Sequence, residues 1–277
     1  MTIDRKAALE LLAFYRDAGV DALVGEEPVN HFAEDAPQLA AEPSASPERP
    51  PSMIRTTLPP KNSAATLVPA AAAAPPSPDV AVMEAREAAR TAATLDELRA
   101  ILDRFEGCGL RKTAKQLVFA DGTPGARVMF VGEAPGAEED RAGLPFVGRS
   151  GKLLDLMMAA IGLDRTGAYI ANIIPWRPPG NRTPTPQESQ ICLPFILRQI
   201  ELANPDILVC LGGPSAQTIL GFSDGIRRTR GKWQTFNTGT RDIRAIATFH
   251  PAYLLRAPLE KRLAWRDFLA IKQALAP

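Results

Sequence analysis

Short apolar runs alternate with segments of helical spacing over the C-terminal part of the chain. Runs of β-branched and apolar residues are typical of buried strands, and apolar residues three and four apart are typical of helices. Strands that alternate with helices indicate an α/β fold, in which helices cover both faces of a parallel sheet. The predicted central sheet has four parallel strands, at residues 127–132, 169–174, 207–212 and 243–249, and the predicted helices cover residues 83–105, 150–161, 186–203, 214–220 and 258–276.

The N-terminal part of the chain has a different texture. Apolar residues recur at helical spacing over residues 4–18, which predicts an amphipathic helix within residues 1–33. Residues 34–81 hold 11 of the 26 prolines, with Ala, Ser and Thr between them, a composition typical of a disordered linker. The globular domain is therefore predicted at residues 82–277. Two uses of the helix stay open: it docks on a partner protein or another protomer, or it folds back onto this domain.

Two local signals concern the helix predicted at residues 186–203. Thr185 and Glu188 form a capping box, with Pro186 at the first helical position, so the start of this helix is well defined. Pro194 lies inside the same helix and cannot donate the helical hydrogen bond. The sequence therefore predicts a kink or a break at Pro194.

Composition narrows the class of protein. The chain has 277 residues, 45% of them apolar and 23% charged, which excludes a collagen, a coiled coil and a wholly disordered chain. No apolar run approaches the roughly 20 residues of a membrane helix, and the first residues do not form a signal peptide. Three scattered cysteines agree with a reducing compartment. These features predict a cytoplasmic protein.

Charge is unevenly distributed along the chain, although the net charge is only +1. Residues 222–277 contain 11 Lys and Arg against 4 Asp and Glu, a local excess of +7. Such an excess in a nearly neutral protein predicts a surface that faces a polyanion.

Candidate chemistry follows the predicted strands, because ligands of open parallel sheets bind beyond the carboxyl ends of the strands. The first strand runs into residues 132–148, a Gly- and Pro-rich loop with several carboxylates and one aromatic residue, Phe146. This loop lacks the spacing of a Walker loop or a dinucleotide turn, and a solvated loop or a divalent cation site stays open. Asn172 ends the second strand, where an amide either reads the edge of a base or fixes a loop.

The third and fourth strands lead to two further candidates. Ser215 stands in a turn of small residues that opens a helix, where free N–H groups are able to bind phosphate. His250 follows the fourth strand and is one of two histidines in the chain, and its place at a strand end favours a catalytic role over a structural one. The other, His31, borders the linker and is assigned no function.

Four segments, in this order, resemble the uracil-DNA glycosylase superfamily and most closely its family 4. The matching text is GEAPGAEED at residues 132–140, GLPFVG at 143–148, Asn172 with RPPGNRTP at 177–184, and HPAYLLR at 250–256. The resemblance covers about residues 100–277. It implies a uracil-DNA glycosylase-like fold and a DNA repair hydrolase that flips uracil out of DNA and hydrolyses its N-glycosidic bond.

The resemblance also implies roles for individual residues. The catalytic pair is Glu139, which orients water, and His250, which stabilises the leaving base. The residues expected to bind uracil are Glu133, Ala134, Phe146 and Asn172. Among them, Phe146 stacks on the base and Asn172 reads its edge. The residues expected to bind DNA are Ser150, Arg182, Ser215, Tyr253, Leu254 and Arg256. Of these, Leu254 is chosen over Tyr253 as the residue that fills the gap left by the flipped base. Further candidates for phosphate contacts are Arg227, Arg228, Arg230 and Lys232.

The resemblance fails at one place. Family 4 enzymes usually hold an iron-sulfur cluster with four cysteines, and at those positions this chain has Phe105, Cys108, Trp176 and Cys192. Because neither Phe nor Trp ligates iron, we predict no cluster and no other metal or cofactor. The two aromatic residues are expected to fill the vacated volume with apolar packing. Cys210 lies in a predicted strand and is expected in the core.

The predicted function is therefore metal-independent removal of uracil from DNA, which leaves an abasic site. The expected partner is uracil-containing DNA, with a protein partner open for the N-terminal helix, no membrane, and a bacterial-type cytoplasmic location at the nucleoid. Two alternatives remain: the same fold acts on another deaminated or damaged base, or it is a DNA-damage binding module without catalysis. A nuclease built on the acidic loop would instead depend on Mg²⁺.

Overall fold

The computed structural model describes residues 78–276 of the chain. The predicted amphipathic helix within residues 1–33 and residues 34–77 of the predicted linker lie outside the described residues. Helix α1 (Pro78–Thr91) opens the described part. This helix includes residues 78–81, which were predicted to belong to the disordered linker.

Six strands form one mixed sheet at the centre of the domain. The four inner strands are parallel and correspond to the four predicted ones, whereas two further strands pair antiparallel at the edges. The α/β class is confirmed, but the predicted count of four strands is wrong. The order across the sheet is β1-β3-β2-β4-β6-β5, and the strands are β1 (Asp121–Gly122), β2 (Val128–Gly132), β3 (Ala168–Asn172), β4 (Ile207–Leu211), β5 (Trp233–Asn237) and β6 (Asp242–Thr248).

The two strands that the sequence pattern missed are the edge strands. β1 is only two residues long, and no residue of β5 is fully buried. In contrast, β2, β3 and β4 are buried at every position, because helices cover both faces of the sheet. An apolar run therefore marks the inner strands and is absent from the edges.

The predicted helix at residues 83–105 is two helices, α1 and α2 (Leu95–Arg104). Thr94 Oγ1 accepts the N–H of Glu97 at 3.2 Å, and the Glu97 carboxylate accepts the N–H of Ala93 at 2.7 Å. This N-cap starts a second helix where the apolar spacing indicated a single one. The remaining helices are α3 (Ala137–Ala142), α4 (Arg149–Ala159), α5 (Pro186–Ala203), α6 (Gly213–Leu220), α7 (Ile226–Thr229), α8 (Pro251–Arg256) and α9 (Lys261–Leu275).

Helix α5 begins where the capping box predicts. Thr185 Oγ1 accepts the N–H of Glu188 at 3.1 Å, and the Glu188 carboxylate accepts the N–H of Thr185 at 2.8 Å. Of the two outcomes predicted at Pro194, a kink or a break, the break does not occur, since α5 continues to Ala203. The kink stays a prediction. A proline removes one helical hydrogen bond, and buried residues on both sides of it, Ile191 and Phe195, keep the helix packed in the core.

The core lies on both faces of the sheet. Met129 and Val131 of β2 belong to the layer that holds α1, α2 and α5, and Val128 and Phe130 belong to the layer that holds α4 and α9. This alternation is the two-residue period of a strand. Cys210 is fully buried in β4, as predicted.

Trp176 is one of the largest buried side chains, with 2% of its surface exposed. We expect Trp176→Ala to lower the free energy of unfolding by about 3–5 kcal/mol, because it removes buried aromatic surface and leaves a cavity. Urea unfolding followed by circular dichroism measures this loss. Trp265→Ala is the matched control, because Trp265 is 44% exposed and its loss should cost clearly less. Equal losses in the two variants would contradict the prediction.

Candidate active site

A cleft of about 680 Å³ opens at the carboxyl ends of the parallel strands. The loops that follow β2, β3, β4 and β6 form its walls, which is the place expected for a ligand in an open parallel sheet. Most of the residues predicted to act on a base or on DNA line this cleft: Glu133, Ala134, Glu139, Phe146, Ser150, Asn172, Arg182, His250, Tyr253 and Arg256.

Asn172 is the last residue of β3 and is 4% exposed. Its partner in register on β2 is Gly132, where an added Cβ would lie 2.4 Å from Asn172 Oδ1. The glycine therefore makes room for the amide. Within the described residues Oδ1 accepts no hydrogen bond, although a buried acceptor without a partner costs about 1–3 kcal/mol. A ligand that donates an N–H at this point would remove the cost.

Phe146 presents its ring to the same cleft from the loop between α3 and α4. Its backbone is left-handed, with a φ of 54°, which is uncommon for a residue with a side chain. A Cβ at Gly151 would lie 1.7 Å from the Phe146 carbonyl oxygen, so only glycine lets α4 approach this loop so closely. The ring centroid of Phe146 lies 5.5 Å from that of His250. Phe146 therefore forms a wall against which a flat ring can stack.

Arg165 holds the Phe146 loop from behind, and the sequence analysis missed it. Its guanidinium donates to the Phe146 carbonyl and, at 3.2 Å, to the Pro145 carbonyl. It also pairs with Asp121 of β1 and, at 2.9 Å, with Asp155 of α4. Arg165 is distant from the loop along the chain, so only the folded structure brings the two together. These bonds fix the position from which Phe146 faces the cleft.

His250 caps the start of α8. The Ala252 N–H donates to His250 Nδ1 at 3.1 Å, so the neutral ring carries its proton on Nε2. Burial, followed by the positive charge of Arg256, lowers the pKa of His250 to about 4. The imidazole is therefore neutral at physiological pH. The site offers a neutral N–H donor beside the ring of Phe146.

Two carboxylates line the cleft. Glu139 accepts the backbone N–H groups of Gly136 at 3.1 Å, Val147 at 3.1 Å and Gly148 at 2.9 Å. These bonds join the two ends of the long loop that follows β2. Glu133 is half-buried, and desolvation raises its pKa. The loop thus carries one carboxylate held by backbone donors and one with increased affinity for a proton.

Two of the predicted DNA contacts need correction, because the structure buries them. Ser215 is fully buried, and its hydroxyl donates to the Val131 carbonyl at 2.7 Å. Leu254 is 1% exposed and packs with Phe249 and Ala264. Each belongs to the inner face of its short helix, so neither faces the cleft. Tyr253, the neighbour of Leu254, does line it.

The arginines predicted to contact phosphates differ in whether another residue already neutralises their charge. Arg182 lines the cleft but makes a bidentate ion pair with Glu188, with N–O distances of 2.6 and 2.8 Å. Arg230 is mostly buried in an ion pair with Asp267, so its predicted phosphate contact is wrong. Arg256 is exposed at the edge of the cleft and forms no salt bridge with any described residue. Arg256 is therefore the freest of these three cations.

The cysteines that the sequence analysis singled out lie apart from the cleft. Cys108 and Cys192 are buried, with their sulfurs 4.0 Å apart. Phe105 packs edge-on against Phe195 with ring centroids 4.9 Å apart, and Trp176 is buried in the same layer. Among residues 78–276 no group of three or more His, Cys, Asp and Glu side chains is arranged to hold a metal ion. Of the four residues at the family's cluster positions, two are therefore thiols, and these two lie close together.

Comparison with known proteins shows similarity to uracil-DNA glycosylases. The sequence model of the uracil DNA glycosylase superfamily matches residues 119–269. The type-4 uracil-DNA glycosylase of Archaeoglobus fulgidus is 40% identical over 182 residues, which cover 64% of this chain and 92% of the relative. The type-4 uracil-DNA glycosylase of Thermotoga maritima is 42% identical over 171 residues, which cover 59% of this chain and 86% of the relative.

The same comparison overturns the prediction that the protein holds no cofactor, because the type-4 relatives are iron-sulfur cluster enzymes. Four thiolates normally hold such a cluster, and Cys108 and Cys192 fit half of that set. The cluster positions lie away from the cleft, so no catalytic step that the cleft supports passes through them.

Proposed function

The chain belongs to the uracil-DNA glycosylase superfamily, and we propose that it removes uracil from DNA during repair by hydrolysing the N-glycosidic bond. The observation that carries this proposal at the level of the site is the buried Asn172 Oδ1, which has no partner among the described residues. It lies beside the ring of Phe146, in a cleft that also holds His250. Uracil supplies the missing donor through its N3–H.

Asn172 is suited to read uracil because its amide carries an acceptor and a donor side by side. Oδ1 accepts N3–H of uracil, and the amide nitrogen donates to O4. Cytosine presents the opposite pattern, an acceptor at N3 and an amino donor at C4. In the amide orientation that the structure shows, cytosine would place an acceptor against Oδ1. Asn172 therefore selects uracil over cytosine.

The base must leave the duplex before it reaches Asn172. Unstacking costs a few kcal/mol, and stacking of the extruded uracil on Phe146 offsets part of that cost. Arg256, Ser150 and Arg182 line the cleft and are our candidates for contacts to the flanking phosphates. Tyr253 lines the cleft where Leu254 does not, so Tyr253 is the candidate for filling the gap left by the base.

His250 stabilises the leaving base. When the bond between C1′ and N1 breaks, its electron pair stays on the uracil ring and the negative charge spreads to O2. The neutral His250 donates Nε2–H to O2, and this hydrogen bond strengthens as the charge develops. A preorganised donor of this kind is worth roughly 3 kcal/mol in a site shielded from water.

Hydrolysis is completed by a water molecule that adds to C1′ and loses a proton, and in the overall balance this proton neutralises the departing uracil anion. We assign the orientation of this water to Glu139, with Glu133 as the second carboxylate of the cleft. The support is positional, since both residues line the cleft. The three backbone N–H groups that bind Glu139 keep its carboxylate fixed in place.

A cleavage assay on a uracil-containing oligonucleotide tests the function. The protein is incubated with the duplex in EDTA, and hot alkali then breaks the strand at abasic sites. We expect breakage at uracil and none in matched duplexes with thymine or cytosine. Excision of another deaminated base but not of uracil would favour the first alternative, and binding without excision would favour a damage-binding module. Strand breakage that needs Mg²⁺ and no alkali would indicate a nuclease.

Gly132→Ala tests the space on which base recognition depends. The added Cβ would lie 2.4 Å from Asn172 Oδ1 and 2.6 Å from Phe146 Cζ, so both groups must move. We expect uracil excision to slow by about tenfold, because small displacements of positioning groups have large effects on rate. Single-turnover kinetics measures the change, and a circular dichroism spectrum checks the fold. Gly109→Ala is a control, since its backbone is not left-handed and no atom lies within 4 Å of its added Cβ. An unchanged rate in Gly132→Ala would contradict the proposed site.

The cellular location and partners are considered last. Among the helices of residues 78–276 none is long and apolar enough to span a membrane. A cytoplasmic location at the nucleoid and a protein partner for residues 1–33 stay predictions from the sequence, and the DNA partner follows from the proposed activity.

A further inference from the structure

A second concave surface lies between helices α4 and α9, on the far side of α8 from the lining residues Tyr253 and Arg256. It is a groove of about 200 Å³ with an almost entirely apolar lining. The groove residues are Leu153, Leu156, Met157 and Ala160 from α4 and the loop after it, Leu254 from α8, and Lys261, Ala264, Trp265 and Phe268 from α9.

The lining follows helical periodicity on both sides. Each helix contributes residues at positions i, i+3, i+4 and i+7, beginning at Leu153 on one side and at Lys261 on the other. This spacing places the side chains in one row along about two helical turns, a length of roughly 10 Å. The groove is therefore elongated and lies between two helices, the shape that accepts a third helix.

The apolar surface of the groove is open to solvent. Leu156 is 68% exposed and Trp265 is 44% exposed. Close by along the chain, Leu259 is 85% exposed, and Leu269, one helical turn after Trp265, is 42% exposed. Several exposed apolar side chains in one region are typical of interaction sites.

Basic residues occur in the groove and next to it along the chain: Lys261 lines the groove, and Lys152, Arg262 and Arg266 each adjoin a lining residue in sequence. Lys152, Lys261, Arg262 and Arg266 are exposed and form no salt bridge with any residue of the described part. The carboxylates of the two helices are already engaged, because Asp155 pairs with Arg165 at 2.9 Å and Asp267 is buried against Arg230. The field around the groove is therefore positive.

We propose that this groove binds an acidic amphipathic helix of a partner protein. Apolar side chains of that helix fill the row between Leu156 and Trp265, and its carboxylates face the basic residues in and next to the groove. A nucleic acid base fits less well, because the lining offers two donors, Lys261 and the indole N–H of Trp265, and no side-chain acceptor. Most donors and acceptors of a base would therefore lose water without gaining partners.

The test is binding of a defined peptide to the full chain. The probe is a fluorescein-labelled synthetic peptide with Leu at positions i, i+3, i+4 and i+7 and Glu at most others. We expect a saturable rise in fluorescence anisotropy that weakens as salt is added. Leu156→Glu and Trp265→Ala should each weaken binding by about tenfold or more, as for anchors at the centre of an interface. Lys261→Glu should weaken it through charge.

Two controls distinguish binding in the groove from nonspecific binding of the peptide. A peptide of the same composition with its leucines dispersed should bind at least tenfold more weakly. Leu197→Glu alters a different groove, between α1 and α5, which also has arginines at its rim, and it should leave binding unchanged. None of these residues lines the catalytic cleft, so uracil excision should be the same in every variant.

Four results would overturn the proposal. The first two are no binding of the peptide and equal binding of the dispersed peptide. The third is displacement of the peptide by a single-stranded oligonucleotide, together with loss of oligonucleotide binding in Trp265→Ala. The fourth is a concentration-dependent dimer, seen by sedimentation, that Leu156→Glu abolishes. The last two would assign the groove to DNA and to a second copy of this chain.

Discussion

His250→Ala should lower the rate of uracil excision by about 10²–10³-fold, the loss measured when one preorganised donor to a developing anion is removed. The donor in question is His250 Nε2–H, since Nδ1 already accepts the Ala252 N–H. Because the bond to O2 matters most when the base carries negative charge, kcat should fall while KM changes little. Single-turnover kinetics on a uracil duplex separates the two.

The pH dependence provides an independent check on His250. Burial lowers its pKa to about 4, so the ring stays neutral, and able to donate, from pH 8 down to about pH 5. The excision rate should therefore show no inflection near 6.5, the ordinary pKa of histidine. An acid limb with an apparent pKa near 6.5 that disappears in His250→Ala would contradict a neutral donor.

Asn172→Ala should slow uracil excision by about 10–100-fold, since a bidentate contact to a base edge is worth about 1–3 kcal/mol. The variant removes both the buried acceptor and the amide donor, so the preference for uracil over cytosine should shrink as well. The excision rate on a uracil duplex measures the first effect. The appearance of excision on a matched cytosine duplex, where the unaltered protein is expected to show none, measures the second.

Asn237→Ala is the control for Asn172→Ala. Asn237 is exposed on the edge strand β5, where its amide donates to Asp242 at 2.7 Å, and its loss should leave the excision rate unchanged. If Asn172→Ala excises uracil as fast as the unaltered protein, another group reads the base. If it loses rate but keeps the full preference for uracil, Asn172 positions the loop and does not read the base.

The location of the site could be predicted from the sequence because parallel strands bring their carboxyl ends to one edge of the sheet. The motif residues after β2, β3 and β6 needed only that topology to converge, and Phe146, Asn172 and His250 do meet in one cleft. The roles proposed for them are those that the family resemblance implies, and the variants above test these roles.

Other features depend on tertiary contacts that a motif does not encode. Ser215 and Leu254 lie in the short helices that follow β4 and β6, but only packing decides which side of a short helix faces the core. Arg165 acts on a loop that is distant in sequence. The edge strands β1 and β5 carry no continuous apolar run, because one is very short and the other is only partly covered.

The cofactor prediction failed for a different reason. It took the aromatic residues at two cysteine positions, Phe105 and Trp176, as evidence against a group that the relatives contain. Counting the cysteines at the four family positions tests only a cluster held by those four residues. It does not decide whether the protein holds a cluster, as its relatives do.

The bonds of Arg165 couple the rim of the sheet to the base pocket. One guanidinium binds Asp121 on the outermost strand β1 and the carbonyl of Phe146. Fraying of that short strand removes one partner of the guanidinium that holds the aromatic wall, so we expect the amide protons of the two segments to exchange more alike than their separation along the chain suggests. The edge of the sheet thus contributes to how long the stacking wall keeps its place.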